Sequence, residues 1–303
     1  MKRSLYDYFI VGLKGFAMGA ANVIPGVSGG TIALITGIYV EFINTLKNFN
    51  LKALKLLFKF KFKELFEYIN LPFIMSLGLG VLLSLFTIAK LFEYLFEHHP
   101  IYIWSFFFGL ILASVYFVGK TVKKWSMVNI LWFIFGAVVA AGISFMNQIA
   151  ENDNLLYVLL CGVVGISGMM LPGLSGSFIL IIMGNYRLLM VEAISDFNVV
   201  LLSVFVVGSV AGMLAFSHVL SWILSKFFNA TIAILTGFIL GSLSIIWPWK
   251  NPVEFIEKAD GEMVPVRYEH FIPEQMNTET LIAIGLILSG IGCIYLIEKL
   301  AKK

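Results

Sequence analysis

Charged residues are scarce in this chain. Asp, Glu, Lys and Arg make up 13% of its 303 residues, whereas hydrophobic residues make up 59%. So little charge, with a mean hydropathy of +0.93, excludes an ordinary soluble domain of this length. Several apolar runs are long enough to cross a bilayer. The sequence therefore predicts an all-α integral membrane protein.

Cysteine and histidine are also rare, with two and four copies. Cys161 and Cys293 lie in apolar runs, where a free thiol usually behaves as a small buried hydrophobe. We therefore predict no disulfide, no metal site and no cofactor, and we expect no nucleic-acid partner. The first apolar stretch contains Lys14 and has a counterpart later in the chain. We interpret it as part of the fold and not as a cleavable signal peptide.

What the chain does have is one short pattern written twice. Residues 25–30 read PGVSGG and residues 172–177 read PGLSGS, 147 positions apart. Each copy ends a helix inside an apolar segment, and a bilayer tolerates the freed backbone groups only where protein or water covers them. Two such breaks at matching positions indicate a transport site. The alternative is a tight turn between two short spans, with the glycines packing helices; the lack of charge at both breaks favours re-entrant hairpins.

The distribution of lysine and arginine predicts the topology. With broken hairpins over 5–46 and 155–195, every basic cluster falls on one side, which the positive-inside rule assigns to the cytoplasm. Both termini are then cytoplasmic, 47–68 is an amphipathic helical segment on the anionic inner leaflet, and the acidic loop 250–277 is external. The predicted full crossings are 71–97, 101–119, 127–148, 197–224, 230–249 and 278–298.

Counting these crossings predicts an inverted-topology repeat. One returning hairpin and three full crossings put the second half upside down relative to the first. The repeats are residues 1–150 and 151–303. Further internal similarity supports them: Gly37-Ile38-Tyr39 matches Gly184-Asn185-Tyr186, and residues 109–114 resemble 237–242.

The breaks have the chemistry of an anion site. A helix that starts there presents unpaired N–H groups and the positive end of its dipole, and serine and threonine add hydroxyl donors. The candidate substrate-binding residues are Asn22, Pro25, Gly26, Ser28, Gly29, Gly30 and Thr31 at the first break, and Pro172, Gly173, Ser175, Gly176 and Ser177 at the second.

Four ionisable residues in apolar segments are further functional candidates, because charge is costly there. Lys14 and Arg187 are candidate cations for the anion site. Their alternatives are snorkelling of Lys14 to the surface and an interfacial pair of Arg187 with Glu192. Glu41 and His218 are candidates for proton coupling, although a lone histidine in a span is more often hydrogen-bonded structure.

Residues 15–31, followed by Gly37-Ile38-Tyr39, resemble the signature of the bacterial polyprenyl-phosphate transporter family, long known as a membrane family of unknown function. Residues 170–178 resemble the other signature of that family, and the resemblance covers essentially the whole chain. It implies a flippase that returns undecaprenyl phosphate, the lipid carrier of cell-wall synthesis, from the outer to the inner leaflet of the cytoplasmic membrane. The residues alone predict only an anion handled within the bilayer.

The expected mechanism is alternating access, with the phosphate held at both breaks and the prenyl tail in lipid. One alternative is an integral-membrane polyprenyl-pyrophosphate phosphatase, which resembles this chain in its inverted repeat and Pro-Gly-x-Ser pattern. Such phosphatases have arginine where this chain has Gly29 and Gly176, and no closely spaced glutamates flank the breaks here. Because of these differences, we predict that the chain is not an enzyme. The other alternative is a secondary transporter of a small soluble anion. Oligomeric state is left open.

Overall fold

The computed structural model describes residues 3–23, 28–144, 146, 148–257 and 263–301. Helices dominate this part of the chain. The first half holds α1 (Leu5–Val23), α2 (Gly29–Ile35), α3 (Tyr39–Lys47), α4 (Leu51–Phe58), α5 (Phe62–Tyr68), α6 (Leu71–His98), α7 (Pro100–Gly119) and α8 (Met127–Ser144). The second half holds α9 (Leu155–Met170), α10 (Gly176–Ile182), a π-helix (Leu188–Glu192), α11 (Ala193–Ser195), α12 (Val199–Lys226), α13 (Phe228–Ser242), β1 (Lys250–Glu257), β2 (Met263–His270) and α14 (Thr278–Ala301).

Five helices in the described residues are long and apolar enough to cross a membrane. Their spans are Leu71–Ile88, Pro100–Gly119, Met127–Ser144, Val199–Lys226 and Thr278–Leu296. The prediction of a multi-pass membrane protein is therefore confirmed. The remaining predicted crossing, 230–249, is shorter than expected. α13 has 15 residues, a rise of about 22 Å, and turns follow it before Pro248.

The segment 250–277, predicted as a loop, contains a short β-hairpin in a mostly helical chain. β1 and β2 pair antiparallel, with Lys250 opposite His270 and an irregularity near Pro252. The backbone N–H of Phe271 donates to the carbonyl of Trp249 at 2.9 Å, and the indole of Trp247 donates to the carbonyl of Phe271 at 3.0 Å. Short alternations of apolar and polar residues, Val253-Glu254-Phe255 and Val266-Arg267-Tyr268-Glu269, are typical of strands and are the signal for this hairpin in the sequence.

The amphipathic segment 47–68 is two helices instead of one. Phe60, between α4 and α5, has a left-handed backbone with φ of 54°, which ends α4. Ala53 on α4 packs with Leu65 and Ile69 in a small separate core. Most of the other apolar side chains of the segment are exposed, among them Phe58 and Phe60 at 73% and 77%. A surface this apolar among lysines fits contact with lipid.

Small residues let the helix pairs pack closely. α1 packs on α6, and α9 packs in the same way on α12. A Cβ on Gly15 would lie 2.1 Å from the carbonyl oxygen of Leu77, and one on Gly162 would lie 2.4 Å from that of Phe205. These distances leave no room for a side chain, as in close helix packing in membranes. The other two tight pairs, α7 with α14 and α8 with α13, join the two halves of the chain.

Candidate functional site

The two breaks have the same local structure. α1 and α9 lead into them, and the short helices α2 and α10 lead out, each with a serine as N-cap. The Oγ of Ser28 accepts from the N–H of Gly30 at 3.0 Å, and that of Ser175 accepts from the N–H of Phe178 at 3.5 Å. Each helix has seven residues and rises about 10 Å, too little to cross a bilayer. The predicted site residues Pro25 and Gly26 lie outside the described residues.

Both short helices end at a glycine with a left-handed backbone. φ is 75° at Gly37 and 76° at Gly184, again 147 positions apart. This conformation is readily accessible only to glycine and ends an α-helix at its carboxyl end. The predicted hairpin 5–46 therefore has a second interruption: the chain turns at Gly37 and α3 begins at Tyr39. The repeated Gly-x-Tyr string was the signal for this turn.

The two breaks contact each other. The hydroxyl of Ser28 donates to the carbonyl of Leu171 at 3.2 Å, and the N–H of Gly173 donates to the hydroxyl oxygen of Thr31 at 2.8 Å. Ser28 and Thr31 are each 1% exposed, so these bonds are shielded. The hydroxyl of Tyr39 donates to the carbonyl of Met170 at 3.0 Å. Residues separated by about 140 positions thus form one polar cluster, which we call the break junction: residues 28–31 and Tyr39 with 170–177.

Tyr39 is a member of the break junction that sequence reasoning missed. Its side chain is 1% exposed, and its hydroxyl is placed on the last turn of α9. A buried tyrosine usually finds a hydrogen-bond partner, and here the partner is a carbonyl at the end of a helix. The same tyrosine in the Gly37-Ile38-Tyr39 string supports the internal repeat, yet its contact with the other half could not be read from spacing.

The starts of α2 and α10 differ in their free donors. At α2 the N–H of Gly29 donates to the side-chain oxygen of Asn22 at 2.7 Å, and that of Gly30 donates to Ser28. At α10 the N–H groups of Gly176 and Ser177 have no hydrogen-bond acceptor among the described residues. The N–H groups at the start of α2 are therefore paired within the chain, whereas those at the start of α10 remain available to another molecule.

The second break also offers hydroxyl groups. The Oγ atoms of Ser175 and Ser177 lie 2.8 Å apart, and Ser177 is exposed, whereas Pro172 and Gly173 are buried. Gly173 has φ of 83°, and a Cβ there would lie 2.5 Å from the carbonyl oxygen of Phe238. Only glycine fits this position, which fixes the second break against α13. Ser177 is thus the exposed edge of an otherwise buried junction.

Lys14, predicted as a candidate cation for the anion site, does not contact the start of α2. Its ammonium donates to the carbonyl of Thr36 at 2.7 Å, at the opposite end of that helix, about 10 Å away. In the second half the hydroxyl of Tyr157 donates to the carbonyl of Met183 at 2.8 Å, and Thr36 and Met183 are 147 positions apart. Both side chains satisfy the free carbonyl groups at a helix carboxyl end, where a cation also suits the dipole.

The other three ionisable candidates are also away from the junction. Arg187 is exposed and pairs with Glu192 at 2.9 Å, just beyond the far end of α10. Glu41 accepts two hydrogen bonds from Arg3, at 2.5 and 2.6 Å, and one from Asn70 at 2.9 Å. These ion pairs supply local structure and leave no charged side chain within the described part of the junction.

His218 lies on α12, and its Nδ1 is 2.7 Å from the carbonyl oxygen of Leu214. The ring faces α4 across a groove and does not reach the break junction. Proton coupling through His218 or Glu41 stays a prediction. Donors at the junction are all neutral hydroxyl and N–H groups, which can bind an anion without an ion pair.

Several apolar helices long enough to span a bilayer, and two helix breaks that contact each other, are features of membrane transporters. Comparisons with known proteins agree. Residues 18–264 match the family described as "VCA0040-like: Undecaprenyl phosphate translocase-like", and the chain belongs to that family.

Two relatives are named polyprenyl-phosphate transporters. The one from Vibrio cholerae serotype O1 is 40% identical over 303 residues, covering 98% of each chain. The one from Staphylococcus aureus is 32% identical over 258 residues, covering 78% of this chain and 85% of the relative. No solved structure shows significant similarity to this chain. The family description and both names denote transport, so the chain is placed with transporters and not with enzymes; the phosphatase alternative was wrong.

Proposed function

We propose that this protein is a flippase for undecaprenyl phosphate that returns the lipid from the outer to the inner leaflet of the bacterial cytoplasmic membrane. The observation that carries the proposal is the break junction, where Thr31 and Gly173 from opposite halves are joined by a 2.8 Å hydrogen bond. Burying polar groups inside a membrane protein costs free energy, so such a cluster is a functional candidate by default. The names of the relatives supply the polyprenyl phosphate class of the substrate.

The phosphate headgroup binds at the junction and the prenyl chain remains in lipid. In the state described here, the headgroup binds first at the second break, through the N–H groups of Gly176 and Ser177 and the Ser177 hydroxyl. The Ser28 hydroxyl and the Gly173 N–H become donors to the phosphate when their present bonds to Leu171 and Thr31 open. A charge in hydrocarbon costs several kcal/mol or more, and these donors replace the water that the phosphate loses.

Alternating access follows from an inverted repeat of residues 1–150 and 151–303. Each repeat holds one re-entrant hairpin and three crossings, with both termini in the cytoplasm. The proposal is supported by the matched N-caps Ser28 and Ser175, the matched glycines Gly37 and Gly184, and the matched packing of α1 on α6 and α9 on α12. Rocking of one repeat against the other exposes the junction to each leaflet in turn.

The first test is made in cells. Deleting the gene, together with any redundant transporter, should raise undecaprenyl phosphate on the outer leaflet, measured with an impermeant lipid-phosphate binder. An unchanged outer-leaflet level would refute the proposed direction and substrate. Uptake assays with soluble inorganic phosphate should show no transport, and saturable phosphate uptake would favour the small-anion alternative instead.

The second test addresses the site in proteoliposomes that contain polyprenyl phosphate. Ser177→Ala should weaken headgroup binding roughly 10- to 150-fold, because a hydrogen bond to a charged group contributes about 1.5–3 kcal/mol. The matched control is Ser203→Ala, an exposed serine on α12 that bonds only its own helix. Equal binding by the two variants would exclude Ser177 from the phosphate site.

A further inference from the structure

An apolar groove separates the amphipathic helices from the transmembrane bundle. α4 and α5 form one wall, α12 forms the other, and Phe49 and Asn50 at the end of α3 close the floor. The cavity has a volume of about 820 Å³. Its walls are mostly aliphatic, including Leu54 and Leu57 on one side and Val210 on the other. Such a lining favours a hydrocarbon chain.

The polar groups of the groove are unequal. Lys52, at the start of α4, has an exposed side chain whose ammonium lies 4.3 Å from the ring centroid of Tyr68. His218 already shares one ring nitrogen with its own helix, through Leu214. No residue that lines the groove within the described chain is acidic. One cation beside a long apolar slot is complementary to an amphiphile with one anionic end.

The groove is connected to the break junction by α3. Tyr39, at the start of this helix, contacts Met170 in the junction, and Lys47, at its end, donates to the hydroxyl of Ser221 on α12 at 3.2 Å. The nine residues of α3 rise about 13 Å. On α12 the groove runs from Val210 to His218, eight residues further on, a rise of about 12 Å. The distance between junction and groove is within the length of a prenyl chain of a few units.

We propose that this groove is a second lipid site, which holds the first isoprene units of the substrate after its phosphate leaves the junction, with Lys52 binding the phosphate. This inference rests on the proposed function. A polyprenyl phosphate has one chain and one terminal phosphate, which match one slot and one rim cation. A diacyl phospholipid would leave its second chain outside. The basic face of α4 and α5 then marks the leaflet into which the lipid is released.

The test fills the groove without touching the core. Val210→Trp places an indole in the slot, whereas Val207→Trp places it on the same helix outside the groove; the two valines are 48% and 59% exposed. Binding of polyprenyl phosphate and of phosphatidylglycerol to the purified, full-length protein is measured by native mass spectrometry. In a Ser177→Ala background, which weakens the junction site, Val210→Trp should reduce polyprenyl phosphate binding at least tenfold, and Val207→Trp should leave it unchanged.

The headgroup contact is tested by Lys52→Gln against Lys55→Gln, an exposed lysine of α4 that does not line the groove. Only Lys52→Gln should weaken binding, by several-fold. Displacement of phosphatidylglycerol alone by Val210→Trp, or equal binding by the two tryptophan variants, would overturn the proposal. Transport is measured separately in proteoliposomes: wild-type protein that binds lipid in the groove but moves none would refute the proposed function while leaving the groove assignment intact.

Discussion

The hydrogen bond between Thr31 and Gly173 provides the sharpest test of the break junction. Thr31→Val keeps the shape of the side chain and removes its oxygen, so the buried N–H of Gly173 loses its 2.8 Å partner. An unpaired buried donor costs about 1–3 kcal/mol. The same change removes one link between the two halves, so a conformational equilibrium that breaks this link should shift by roughly 5- to 150-fold. Thr31→Ser keeps the oxygen and is the matched control.

The stability effect is measured as the free energy of unfolding in mixed micelles. Thr31→Val should lower it by about 1–3 kcal/mol relative to Thr31→Ser. The conformational effect is measured by thiol labelling of the variant Ser177→Cys, which also carries Cys293→Ala. The labelling rate should change several-fold with Thr31→Val and stay unchanged with Thr31→Ser. Two variants with equal stability and equal labelling would show that the bond does not hold the junction together.

Three further predictions concern other residues. Gly173→Ala should abolish folding or lower the free energy of unfolding by more than about 2 kcal/mol, because φ is 83° and the added Cβ would lie 2.5 Å from Phe238; Gly78→Ala, which has open space, should be tolerated in the same assay. Lys14→Met and Tyr157→Phe should each lower the free energy of unfolding by about 0.5–2 kcal/mol while transport persists. Loss of transport by Lys14→Met alone would assign Lys14 to the phosphate site after all. Burial lowers the pKa of Lys250 to about 7, although its ammonium lies 3.6 Å from the ring centroid of Trp104, a contact that favours the charged form. Because the unfolded chain binds this proton more tightly, the free energy of unfolding should rise by up to a few kcal/mol as pH increases from about 7 towards 10.5, and Lys250→Met should flatten that rise.

Much of the fold could be predicted because membranes restrict the choice. Long apolar runs predicted the crossings, and Pro25 and Pro172 predicted where helices stop. The β-hairpin that begins at Lys250 was missed because the many acidic residues of this segment are equally typical of an external loop. The turn at Gly37 was missed because a single glycine is tolerated within a helix, and only its backbone angle shows the break.

The site was predicted less completely, for a physical reason. The pairing of the two PGxSG copies pointed to two segments that contact each other: Thr31 bonds to Gly173 in the second copy, and Ser28 bonds to Leu171 just before it. Arg187 forms the alternative pair with Glu192, whereas the partner of Lys14 could not be predicted, because sequence gives depth along a helix but not which end of a neighbour a long side chain reaches. A long cationic side chain pairs with the nearest unpaired carbonyl or carboxylate. Which group is nearest is known only once the chain has folded.

Asn22 makes the two copies of the pattern unequal. Its amide oxygen saturates the N–H of Gly29, while the residue 147 positions later is Met169, whose thioether cannot serve in that way. The first copy therefore stiffens its own turn, whereas the second still offers donors. One amide side chain thus makes two breaks of nearly the same sequence chemically different surfaces.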